Sequence, residues 1–195
     1  MSMENSETTP SKTSGSMATR VAAMVITALV YGVLVYVSRF APKIFGMQMT
    51  FPAAGIAPAV GIWFGGWGAI GAILGTIISQ LPAGMNPMMW VPANLGQLVI
   101  PVAYFLFYKK NTVKSMGDYV SFIVIGTIST AITLVIVDLN VVANGFVPDF
   151  GTAMRVMFPV QMLGNLIWVF ILGPISLNVV SPYIVKAGLK AKSLL

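Results

Sequence analysis

Residues 51–79 read FPAAGIAPAVGIWFGGWGAIGAILGTIIS, a run without a charged side chain in which apolar residues are interleaved with glycine, alanine and proline. Its first part predicts a short helix over 51–64 that contains Pro52, Gly55, Pro58 and Gly61, and is therefore kinked or only partly embedded in a membrane. Gly65, Gly66 and Gly68 predict a tight turn. A following helix over 67–81 repeats small residues at Gly68, Gly71 or Ala72, and Gly75, a spacing that lets helix backbones approach closely in lipid.

The rest of the chain has the same character. Of 195 residues, 57% are hydrophobic and 8% charged, against about 25% charged in a soluble domain. Such a chain cannot cover a water-facing surface, and lipid needs no such cover. Residues 1–16 are rich in Ser and Thr, have almost nothing apolar to bury, and read as a disordered polar tail. Residues 17–195 read as one membrane domain. Because a spanning helix uses about 20 residues, the expected architecture is an all-α integral membrane protein, a bundle of six transmembrane helices. Beside the two helices above, the expected spans are 18–40, 92–108, 119–142 and 152–180, the last kinked by Pro159, Gly173 and Pro174.

Missing residue types exclude much chemistry. There is no Cys and no His, so thiolate and imidazole catalysis and the common transition-metal sites are ruled out. Of the acidic residues Glu4, Glu7, Asp118, Asp138 and Asp149, two lie in the tail, which leaves too few for a carboxylate cage or a paired-carboxylate hydrolase. Binding or transport is expected rather than catalysis, with no metal and no cofactor. The net charge of +6 is a topology signal rather than a nucleic-acid signal. Lys12, Arg20, Lys109, Lys110, Lys114, Lys186, Lys190 and Lys192 fall on the side of the termini, against Arg39, Lys43 and Arg155 opposite. The positive-inside rule then places both termini in the cytoplasm of a multi-pass cell-membrane protein.

Polar side chains within apolar spans mark candidate sites, since each needs a partner or a wet cavity. Asn94, Gln97 and Tyr104 lie on one stripe of the fourth helix, and Gln161, Asn165 and Trp168 on one stripe of the sixth. Asp138 and Asn140 lie near the outer end of the fifth. With Asn86 and Trp90 in the loop before the fourth helix and Asn144 after the fifth, these residues could surround an outward-opening pocket. The amides could equally join helix to helix, worth roughly 0.6–2 kcal/mol each. Asp138 could pair with Arg155, Arg39 or Lys43, and Trp63 and Trp90 could be interface anchors. The loop 39–50, with Pro42, Gly46, Met47, Gln48 and Met49, is a candidate lid or an ordinary connector. The aromatic and amide set suits a flat heterocycle. Asp138 would favour a cationic or donor group, and the outer basic residues a carboxylate.

The order of these features resembles the substrate-capture (S) components of energy-coupling factor (ECF) vitamin transporters. The six spans, the short proline-bearing second helix, the segment FGGWGAIGAILGTIIS over 64–79, the YKK ending of the fourth helix and the proline-bearing last helix before a basic tail carry the resemblance. It implies capture of one micronutrient from outside, under outward loops, and docking on a coupling membrane protein driven by two ATPases. It also implies a small-residue pair on the first helix that packs on that partner, for which Ala18 with Ala22, or Ala28 with Gly32, has the spacing. No phosphate-binding G-x-x-x-x-G-K-[ST] motif occurs, so ATP must be used in trans. The segment FPAAGIAPAVGIWFGG also looks like the opening of membrane sensor domains attached to kinases and cyclases. A small structural subunit of a larger membrane complex is a third expectation.

Overall fold

A computed structural model of the chain describes residues 16–84, 86–191 and 194. The expected polar tail, Ser16 excepted, lies outside them. Five helical segments are long and apolar enough to cross a membrane: Met17–Phe40, Ala53–Gln80, Met88–Phe107, Met116–Ala143 and Phe150–Lys186. The one sheet among the described residues is a two-stranded hairpin, β1 (Lys43–Ile44) with β2 (Met47–Gln48).

Helix α1 (Met17–Val37) starts at Ser16, whose hydroxyl accepts the Thr19 N–H. Its buried positions Ala23, Thr27, Tyr31 and Val35 recur every four residues, the stripe that one helix face presents to a neighbour. The opposite face exposes Val21, Val25, Ile26, Leu29 and Val33, which lipid would solvate and water would not. The buried stripe meets the second arm of α2 (Ala53–Gln80). A Cβ on Gly71 would stand 2.5 Å from the Met24 carbonyl oxygen, and one on Gly75 would stand 2.5 Å from that of Ala28. Because both contact series rise together, this arm runs parallel to α1.

The two short helices expected over 51–64 and 67–81 are the arms of α2. They are joined at Gly65, whose φ of 57° and ψ of −137° lie outside the helical region. A Cβ on Gly68 would fall 2.7 Å from the Val60 carbonyl oxygen, whereas eight residues of straight helix rise about 12 Å. The chain therefore doubles back at this elbow. The first arm packs elsewhere: Gly61 lies against Pro101, and a Cβ on Gly55 would meet the Trp168 carbonyl oxygen at 2.7 Å.

The expected fourth span is broken into α3 (Val91–Gly96) and α4 (Val99–Phe107). Pro101 explains the break, since it has no N–H to give the Gln97 carbonyl. Helix α5 (Met116–Ala143) opens with a Ser115–Asp118 capping box. A short α6 (Phe150–Thr152) and a π-helical turn, Ala153–Met157, lead into α7 (Phe158–Lys186). The α2 elbow, the 108–115 connector and the end of α7 gather at one end. There Ala191 N–H donates to Trp63 O (2.6 Å), Gly66 N–H to Leu194 O (2.5 Å), and Lys190 to Asn111 Oδ1 (2.5 Å). The β-hairpin lies at the other end, beside α3 and the start of α7.

Candidate functional site

The loop expected as a lid or a connector is an ordered hairpin. Phe45 and Gly46 have φ of 48° and 77°, the left-handed pair that a two-residue reversal requires, and Met49 N–H closes the base on Pro42 O at 2.9 Å. The strand end is fastened to α7. Thr50 Oγ1 donates to Gly164 O at 3.0 Å and accepts from Trp168 Nε1 at 2.6 Å. Gly164 is needed here because the Met49 carbonyl occupies the space a side chain would take.

Two hollows lie beneath this hairpin. The first, about 530 Å³ including space open to solvent, is lined by Met47, Gln48 and Phe51 from the hairpin segment, Gln97 and Ile100, Thr130, Thr133, Leu134 and Val137 of α5, and Gln161 and Asn165 of α7. The second, about 540 Å³, shares Met47, Gln48, Gln97 and Val137 and adds Arg39, Ser79, Gln80, Trp90 and Asn94.

The polar groups around the first hollow are in an unusual state. Gln161 Oε1, Asn165 Oδ1 and Thr130 Oγ1 are buried and have no hydrogen-bond partner. Buried polar groups are normally satisfied, and leaving one bare costs about 1–3 kcal/mol. All three belong to residues that line one space, while Asp138 and Asn140, which line neither hollow, also have bare polar atoms. Gln97 is oriented by Tyr31, whose hydroxyl donates to Gln97 Oε1 at 2.8 Å, so the amide –NH2 is its remaining donor. Thr133 instead donates to Ser129 O at 2.9 Å.

The structure separates the sequence candidates into groups. Gln97, Gln161 and Asn165 line the first hollow, and Gln97, Asn94 and Trp90 the second. Asn94 is also a helix-to-helix link, exchanging hydrogen bonds with Gln80 at 2.9 and 3.3 Å. The Trp90 ring is buried and packs on Phe146 at 5.3 Å. Other candidates have local duties. Asn86 caps the turn Pro87–Trp90 by accepting the Met88 N–H, Asn144 ties the end of α5 to Met89 O at 3.1 Å, and Trp168 anchors Thr50. Asn140 is buried with its Nδ2 unpartnered and lines neither hollow.

Asp138 stands apart from the other candidates. It is fully buried, lines neither hollow and has neither oxygen partnered. The expected ion pairs with Arg155, Arg39 or Lys43 do not form, since the one salt bridge among the described residues joins Lys110 to Asp118. On α1, Ala28 and Gly32 are buried against Gly75, so that pair cannot face a partner, while Ala18 and Ala22 are exposed.

Sequence reasoning missed Thr130, Thr133, Gln80 and Tyr31. Thr130, Thr133 and Val137 follow at spacings of three and four along α5, so hydroxyls on the stripe facing the amide-bearing helices were the available signal. No protein family, curated protein or solved structure matches this chain.

Proposed function

We propose that the chain is a multi-pass membrane protein that captures a small heterocyclic micronutrient in the hollow beneath its β-hairpin, and that it is the substrate-binding subunit of an ECF-type transporter. In this reading both arms of α2 count as crossings, which makes six, and both termini are cytoplasmic. The hairpin then faces outward. The observation that carries the reading is the set of Thr130, Gln161 and Asn165, which have unpartnered polar atoms around one space under an ordered cover.

The binding chemistry follows from that lining. Phe51, Ile100, Leu134 and Val137 supply apolar walls that favour desolvation of a ring. The amides present donors and acceptors in fixed orientations, and discrimination arises because an ill-matched guest leaves those groups bare. Met47 closes the top with an adaptable side chain. In this reading the chain binds and releases its ligand unchanged. Release inward requires a coupling membrane protein and an ATPase pair in trans, for which the exposed Ala18 and Ala22 on α1 offer a close-packing face.

Native mass spectrometry of the gently extracted chain tests the reading. A bound small molecule of micronutrient size is expected. Protein free of any such adduct, and not stabilised against heat by any compound of a vitamin panel, would refute capture.

A further inference from the structure

The two hollows differ in charge, and the difference says what kind of molecule fits them. None of the residues that line the first hollow is acidic or basic. A charge placed there would give up part of its hydration without an opposite charge in return. The body of the ligand in that space must therefore be uncharged, with both hydrogen-bond donors and acceptors to meet Thr130, Gln161, Asn165 and Gln97.

The second hollow, which shares Met47, Gln48, Gln97 and Val137 with the first, has one charged lining residue, Arg39. Its guanidinium is already held in place. One terminal nitrogen donates to Ser79 O, and the group sits over the Tyr36 ring with 5.3 Å from Cζ to the centroid. No acidic side chain is paired with it among the described residues. Asp138, the carboxylate nearest in sequence to the lining of α5, faces neither hollow. Arg39 is thus held in place with no acidic partner among the described residues, and its Nε and Nη1 remain as separate donors, each able to make a charge-assisted bond to a carboxylate.

We propose that the captured molecule has an uncharged hydrogen-bonding body in the first hollow and a single carboxylate that reaches Arg39 in the second. One arginine balances one negative charge, which favours a carboxylate over a phosphate carrying nearly two. This inference rests on the capture reading and deepens it.

The test uses the full chain in detergent and three matched pairs: nicotinate with nicotinamide, pantothenate with panthenol, and biotin with biotinamide. Thermal unfolding against concentration gives the affinity of each. At least one acid should bind about tenfold or more tightly than its neutral counterpart, the usual scale of a charge-assisted contact. Arg39→Gln should erase most of that preference, and Arg39→Lys should keep part of it. The acid–neutral comparison on the unaltered chain decides the matter even if Arg39→Gln fails to fold. Equal binding of both members of every pair, no stabilisation by any acid, or an acid affinity untouched by Arg39→Gln would overturn the proposal. In those cases stabilisation by a neutral member or by cationic thiamin, lost in Asn165→Ala, would show that capture stands and only the acidic end is wrong.

Discussion

Thr130, Gln161 and Asn165 differ from most other buried polar residues of this chain in how their hydrogen bonds end. Thr27 and Thr76 donate to the carbonyl four residues back in their own helix, at 2.8 and 2.9 Å, and Asn94 is reciprocated by Gln80. Such groups hold helices together and need nothing from outside. The three bare groups around the first hollow have no such partner. Asp138 is also bare, but it lines neither hollow. Asp138→Asn should therefore leave the melting temperature unchanged or raised and ligand retention intact, since removing an unpaired buried acid relieves a desolvation cost. A fall of several degrees, or lost binding, would assign Asp138 a role the geometry does not show. Sequence alone could not separate these cases, because a stripe position gives the direction of a side chain and not its partner.

The elements divide the work between close packing and fastening. Gly75 permits α1 and the second arm of α2 to touch backbone to backbone, and a methyl group there would meet the Ala28 carbonyl oxygen at 2.5 Å and the Gly32 nitrogen at 2.8 Å. Gly75→Ala should cost about 1–3 kcal/mol of stability, measured by thermal or denaturant unfolding in detergent, whereas Ala22→Val on the exposed face should cost little. The hairpin depends on its anchor to α7. Thr50→Val removes the bond to Gly164 O and leaves the Trp168 indole N–H without its acceptor. Amide hydrogen exchange over residues 43–50 should accelerate, with a stability loss of about 1–2 kcal/mol; unchanged exchange would mean that the cover is held by other contacts. Much of this was legible in advance. The glycine spacing of 68, 71 and 75 announced the close approach, and Gly65–Gly66 announced the reversal. The hairpin within 39–50 was hidden, because its two-residue strands carry no periodic pattern and Phe45 is not a residue that signals a left-handed turn.

For the whole molecule, the broad apolar outer surface follows from a composition of 57% hydrophobic and 8% charged residues. The ends of the bundle were also legible: the basic connector 108–114 and the basic end of α7 meet through Lys190 and Asn111. The absence of cysteine makes the proposed orientation testable by labelling. A single Lys43→Cys should react with an impermeant maleimide on intact cells, and Lys186→Cys only after permeabilisation; the reverse pattern would invert the topology. The stripes already put amides of separate helices near one depth; which of them line the same space needed three dimensions, since Gln97, Thr130, Gln161 and the hairpin are far apart in sequence. That convergence is best probed by native mass spectrometry of the unaltered chain beside Gln161→Ala/Asn165→Ala. The unaltered chain should carry a small molecule, and the double variant, equally folded, should be empty. A double variant that retains the same adduct at the same occupancy would contradict capture in this hollow.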